Sequence, residues 1–270
     1  MEHAATADAK PLAGPLPEVS GLLDGLPRQR VRTAPAPSSA APAQSVGRLA
    51  GLRLRPWRIL PTPTGTPFTF GFAAVLVVTS LITTYASPSL VYALHQGSST
   101  DVAHLIRTPV LVLLASALWV AGGLASPYVL CFLLVLTALE RRIGGARTAV
   151  VFLLGHVLAT LVTEGAVGLG VLFGDLPHTS LHRLDYGISF GVASSVGALA
   201  GLLTPWLRRP MLLLFGGMLV EDLIAFTDPM TNWGHLISLA IGVSCWPTVR
   251  HWHQAHTKQP TQHHPHPQTP

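Results

Sequence analysis

Basic residues fall on one side of a set of long apolar runs, and this asymmetry decides what the chain can fold into. The runs cover about 68–86, 124–139, 147–172, 186–205, 210–226 and 233–248. With the N-terminus placed in the cytoplasm, the inner face receives Lys10 and the seven arginines from Arg28 to Arg58. It also receives Arg141, Arg142, Arg147, Arg208, Arg209, Arg250 and Lys258, leaving only Arg107 and Arg183 outside. Lys and Arg concentrate on the cytoplasmic side of membrane helices, so six spans with both ends inside satisfy the rule. A seventh span at Pro109–Val120 would destroy the asymmetry. Gly122, Gly123 and Pro127 crowd its end, so this stretch reads as a re-entrant hairpin. Charged residues make up 11% of the 270, against roughly a quarter in a soluble domain. The expected fold class is therefore an all-α polytopic membrane protein.

The rest of the chain frames this bundle. Residues 1–56 are rich in Pro, Ala, Arg and Ser and are expected to form a disordered cytoplasmic tail. A six-helix membrane domain follows over 57–250, then a disordered His/Pro-rich cytoplasmic tail over 251–270. The N-terminal stretch contains no apolar signal-peptide core, so the first span is expected to act as a signal anchor. Arginine outnumbers lysine 15 to 2, and with abundant Ala, Gly and Pro this points to a high-GC bacterium and its plasma membrane. The basic pI of about 9.8 comes from residues flanking apolar runs, so no nucleic-acid partner is expected. Cys131 and Cys245 fall at different depths and are expected to stay unpaired. The Pro-spaced His263, His264 and His266 are not read as a metal site, and no metal or cofactor is expected. Membrane lipids and transmembrane proteins are the expected partners; the oligomeric state stays open.

Two polar residues in the spans carry most of the chemistry. Helices four and six of this topology both run inward, which places Ser189 and His235 at a similar depth near the outer surface. Around them Gly187, Gly191, Gly197, Gly234, Ser238 and Gly242 recur at helical spacing, and such small residues let backbones approach closely in lipid. Two readings stand. Either His235 takes the Ser189 proton and activates its hydroxyl, or the two side chains are hydrogen-bonding partners in helix packing. His156 and Glu164 lie eight apart, within about 80° on one helix. They form a structural hydrogen-bond network, or Glu164 or Asp185 orients His235.

Several ordered motifs resemble the rhomboid family of intramembrane serine proteases. They are Gly187-Ile-Ser189, Gly234-His235, Leu139-Glu-Arg-Arg-Ile-Gly144 and the hairpin stretch from Arg107-Thr-Pro-Val110 to Ser116-Ala-Leu-Trp119. Gly155-His156, Thr163-Glu-Gly165 and Asp185-x-Gly-x-Ser189 are similar to a divergent rhomboid-like branch of high-GC bacteria. The resemblance covers roughly 68–248. It implies a six-helix rhomboid-like bundle in which Ser189 is the nucleophile and His235 the base, cleaving transmembrane substrates near their outer ends through an acyl-enzyme. The chain departs from the family pattern in five places. Phe190 follows the nucleophile where glycine is usual, Gly234 replaces alanine, Ser238 replaces glycine, and Ala193 replaces the tyrosine that packs on the histidine. The His-x-x-x-Asn pair of the second helix, which helps hold the oxyanion, has no counterpart in Leu124-Ala-Ser-Pro-Tyr128. A catalytically inactive rhomboid-like protein that binds transmembrane clients is the alternative reading. A transporter is a weaker one, because no internal repeat or interrupted helix pair is visible.

Overall fold

The computed structural model describes residues 60–226 and 228–258. The tail expected at 1–56 and the final residues 259–270 lie outside them. Among the described residues there is no strand. The chain forms α1 (Pro67–Tyr85), α2 (Pro88–Gly97), α3 (Val102–Arg107), α4 (Pro109–Ser116) and α5 (Pro127–Cys131). A π-helical segment, Phe132–Leu136, joins α5 to α6 (Thr137–Ile143). Then come α7 (Gly145–Leu172), a 3₁₀ turn at His178–His182, α8 (Ser189–Ala200), α9 (Pro205–Ala225), α10 (Pro229–Ser244) and α11 (Trp246–Thr257).

Two of these helices, α1 and α7, are long and apolar enough to cross a bilayer. Helix α8 is apolar but has only 12 residues, about 18 Å of rise. It lies at the centre of the bundle: every residue from Phe190 to Ala200 is buried. It packs against α7 on one side and α10 on the other. Its Val192 and Val196, with Ile188 just before it, pack with Phe132, Leu136 and Phe152 in one hydrophobic core.

The expected span over 186–205 is therefore shortened at both ends. Its first residues are not helical because their backbone groups are claimed by the α4 region. The Gly187 N–H donates to the Ser116 carbonyl at 3.0 Å, and the Ile188 N–H to the Trp119 carbonyl at 3.2 Å. The hairpin stretch itself holds one eight-residue helix, α4, followed by a turn in which Gly122 and Gly123 take φ of +80° and +72°.

The expected tail from 251 begins differently. Helix α11 continues to Thr257, because Val249 is fully buried and Trp252 packs onto the cluster around Leu139 and Ile143. The Arg147 guanidinium also reaches the Trp252 carbonyl at 3.0 Å. Polar composition hid this helix, since only one narrow face is apolar.

Glu140 ties the start of the bundle together. Its buried carboxylate accepts the Phe68 N–H at 2.9 Å, the Thr69 N–H at 2.8 Å and the Thr69 hydroxyl at 2.6 Å. Those amides are orphan donors at the α1 N-terminus, which no local side chain caps. Glu140→Ala should lower unfolding free energy by about 1–3 kcal/mol, because it strands buried donors. A reduced thermal midpoint in detergent, partly restored in Glu140→Gln, is the expected readout.

Candidate functional site

Close packing of α8 on α10 sets the site's frame. A Cβ at Gly242 would collide with the Ser194 backbone, and one at Gly197 with the backbone of Leu239, Gly242 and Val243. At Gly191 it would enter the Phe152 ring, and at Gly234 the Phe190 ring. The Ser238 hydroxyl donates to the Phe190 carbonyl across the same interface. Contact this tight leaves no freedom for the helices to slide, so Ser189 at the start of α8 and His235 on α10 are held in fixed register.

Ser189 is presented by a stretch of extended chain that enters the bundle. Non-helical backbone at such depth must find internal partners. The Asp185 N–H donates to the Ser99 hydroxyl at 3.1 Å, and the Asp185 carbonyl accepts the Thr100 N–H at 2.8 Å. Gly187 then adopts φ +135°, a conformation closed to most side chains, and its amide is held by Ser116. The turn delivers Ser189 as the first residue of a helix that lacks any side-chain cap. First-turn N–H groups without intrahelical partners therefore remain beside the serine.

A cavity of about 410 Å³ opens in front of this turn, lined by Ser189, His235, Tyr128, His156, Asp185 and Asp228 among others. His235 is 6% exposed, and neither of its ring nitrogens has a hydrogen-bond partner. Aromatic contacts hold the ring instead. Tyr128 stacks on it at 5.1 Å and 24°, and Phe190 meets it edge-on at 5.3 Å. Ser189 and His235 thus share one cavity with no hydrogen bond between them.

The other polar residues expected here lie in two separate networks. His156 Nε2 is 3.0 Å from both the Leu113 carbonyl and the Ser116 hydroxyl. A carbonyl only accepts, so Nε2 carries the proton and Nδ1, which has no partner, is a bare acceptor. Glu164, 1% exposed, accepts a 2.7 Å bond from Arg183. Arg183 also lies 3.4 Å from Asp228 and 4.0 Å from Asp185, and donates to the Thr231 hydroxyl at 3.2 Å. Burial pushes the Asp185 carboxyl above its ordinary range, an effect that Arg183 and the Thr100 hydroxyl oppose. Burial disfavours the Arg183 charge, yet Asp185, Glu164 and Asp228 outweigh it and leave the guanidinium more basic than usual. Neither Glu164 nor Asp185 is hydrogen-bonded to His235.

A family model for a rhomboid-like protein matches residues 64–255, which takes in α1 to α10 and all but the last two residues of α11. The chain belongs to the rhomboid-like proteins. No curated protein and no solved structure matches it. Family and apolar helices together make it a membrane protein.

Sequence reasoning about this rhomboid-like protein missed Tyr128, Arg183 and Asp228. Tyr128 stands in a stretch noticed only for what it lacks. Asp228 carried a readable signal, since Asp before Pro marks a helix start; its side chain caps α10 by accepting the Thr231 N–H. Arg183→Ala would leave the Glu164 carboxylate buried and unpaired, which costs about 3–5 kcal/mol. Glu164→Gln in the same chain should recover much of that loss. Thermal unfolding of the two single variants and the double variant measures the coupling.

Proposed function

We propose that this rhomboid-like protein is an intramembrane serine endopeptidase using a Ser189–His235 dyad. The observation that carries the reading is the state of His235: a buried imidazole, both nitrogens unpartnered, facing the cavity that Ser189 also lines. Buried polar atoms nearly always find partners, and exceptions concentrate where chemistry or a ligand supplies the missing bond. A pair that served only to pin α8 to α10 would be hydrogen-bonded, and this one is not. Catalytic hydrogen bonds are often open in ligand-free sites and tighten on the substrate.

In the mechanism, the Ser189 hydroxyl attacks the scissile carbonyl carbon while its proton passes to a His235 ring nitrogen. The carbonyl π pair moves to oxygen, and the resulting oxyanion lies against the uncapped first-turn N–H groups of α8. Collapse re-forms the carbonyl and breaks the C–N bond, and His235 gives its proton to the departing amine. Water, activated by His235, then attacks the acyl-enzyme and frees Ser189. Neither Glu164 nor Asp185 takes a step. Their bonds to Arg183 and Thr100 fix the segment of chain that leads into Ser189.

The membrane topology belongs to the same proposal. Six spans place both termini in the cytoplasm of a bacterium, with the cavity near the outer face and transmembrane proteins as substrates. A 12-residue α8 suits this reading, since the serine then starts a helix below the surface rather than above it.

The test uses full-length protein in liposomes with a transmembrane reporter and a fluorophosphonate probe. Wild type should cleave and label at Ser189. Ser189→Ala and His235→Ala should each lose at least about 10³-fold in cleavage, by analogy with removal of a triad member, with thermal midpoints near wild type. Absence of cleavage and labelling in wild type would favour the alternative, an inactive protein that binds transmembrane clients.

A further inference from the structure

We infer that Tyr128 is a catalytic residue of this site, its hydroxyl donating to the substrate oxyanion while its ring positions His235. The inference rests on the dyad reading and extends it to a residue whose neighbours in sequence gave no sign of the role.

Three observations converge on Tyr128. Its ring stacks on the His235 ring at 5.1 Å and 24°, so it lies directly against the proposed base. Its side chain lines the same cavity as Ser189. Its hydroxyl is buried and has no hydrogen-bond partner among the described residues. Buried tyrosine hydroxyls ordinarily find a partner, and Tyr128 has nothing of the kind. A phenol is both donor and acceptor, and the unmet need here is for a donor. Of the other polar side chains at the cavity, His156 presents a bare acceptor at Nδ1, Asp185 and Asp228 present carboxylates, and the Thr100 and Thr231 hydroxyls donate to those two carboxylates. The Thr160 hydroxyl also lacks a partner, but of these two unpartnered hydroxyls Tyr128 is the one whose ring stacks on His235. An acceptor beside a developing negative oxygen would raise the barrier. Tyr128, set against the base, joins the first-turn amides of α8 as a group equipped to hold it.

The chain places Tyr128 there for a local reason. Ser126 caps α5 by accepting the Tyr128 N–H, and Pro127 begins the helix with a preset φ. The first helical side chain after the proline is therefore fixed at the cavity wall. In the acylation step the carbonyl oxygen gains its electron pair as the Ser189 Oγ–C bond forms. The Tyr128 O–H donates a hydrogen bond to that oxygen without losing its proton. When the C–N bond breaks, the oxygen returns to a carbonyl and the bond weakens.

Tyr128→Phe removes the hydroxyl and keeps the stacking ring. With full-length protein and the transmembrane reporter, kcat should fall ~10²–10³-fold, the range for loss of one oxyanion donor. KM and the thermal midpoint should stay near wild type. A peptide aldehyde, whose hemiacetal mimics the tetrahedral intermediate, should lose affinity in parallel with kcat, while an uncleavable substrate peptide should bind as before. Tyr128→Leu, which removes the ring as well, should lower kcat further. An active wild type with Tyr128→Phe within about twofold of it overturns the Tyr128 role and leaves the dyad standing. A rise in KM alone, or equal weakening of aldehyde and substrate peptide, likewise overturns it. A wild type that neither cleaves nor labels overturns the dyad reading and this inference together.

Discussion

Backbone-to-backbone contact between α8 and α10 is the constraint on which the site depends. Gly242 meets the Ser194 backbone, and Gly197 meets that of Leu239 and Val243, with no side chain between them. In a bilayer there is little hydrophobic gain from hiding one apolar helix against another, so association relies on van der Waals fit and internal hydrogen bonds. The Ser238 hydroxyl and the Trp246 indole, which donates to the Gly197 carbonyl at 2.8 Å, supply the latter. A side chain added at any of these glycines would displace a whole helix, and with it the relation of Ser189 to His235.

A second layer of the design lies outside the long helices. The residues between α1 and α5 donate or accept nearly every bond that holds the turn before Ser189: Ser99, Thr100, Ser116 and Trp119 all contact it. His156 fastens the same region to α7 through the Leu113 carbonyl and the Ser116 hydroxyl. The short helices α2 to α4 therefore act as a brace for the serine. Irregular backbone is tolerated at this depth because its polar groups are used up within the protein.

Much of this was legible in the sequence, and the gaps have physical causes. The small-residue rows on α8 and α10 follow from helical periodicity, and Ser189 and His235, singled out together in the sequence, line one cavity. The start of α8 was not legible, because an apolar Tyr186-Gly-Ile188 reads as helix until hairpin carbonyls claim its amides. Tyr128 was invisible as a partner of His235, since stacking between residues more than a hundred positions apart leaves no local pattern. Arg183 was read only as an external charge, yet a buried carboxylate on α7 draws it inward. Helix α11 was hidden by its His and Arg content. Its anchoring face consists of Trp246, Val249 and Trp252, spaced three apart.

The far end of α8 has a bearing on the near one. Arg208 donates to the Ala200 and Leu203 carbonyls, and Arg250 to the Gly201 carbonyl, with both guanidinium groups lying over Trp246 at 4.9 and 5.3 Å. A helix carries roughly half a positive charge at its N-terminus and half a negative charge at its C-terminus. Two cations neutralise the negative pole of α8, while the positive pole faces the cavity uncapped. The buried helix is thus closed at one end and open at the other: its last carbonyls are taken up by arginines within the protein, while the first-turn amides beside Ser189 are left for whatever enters the cavity.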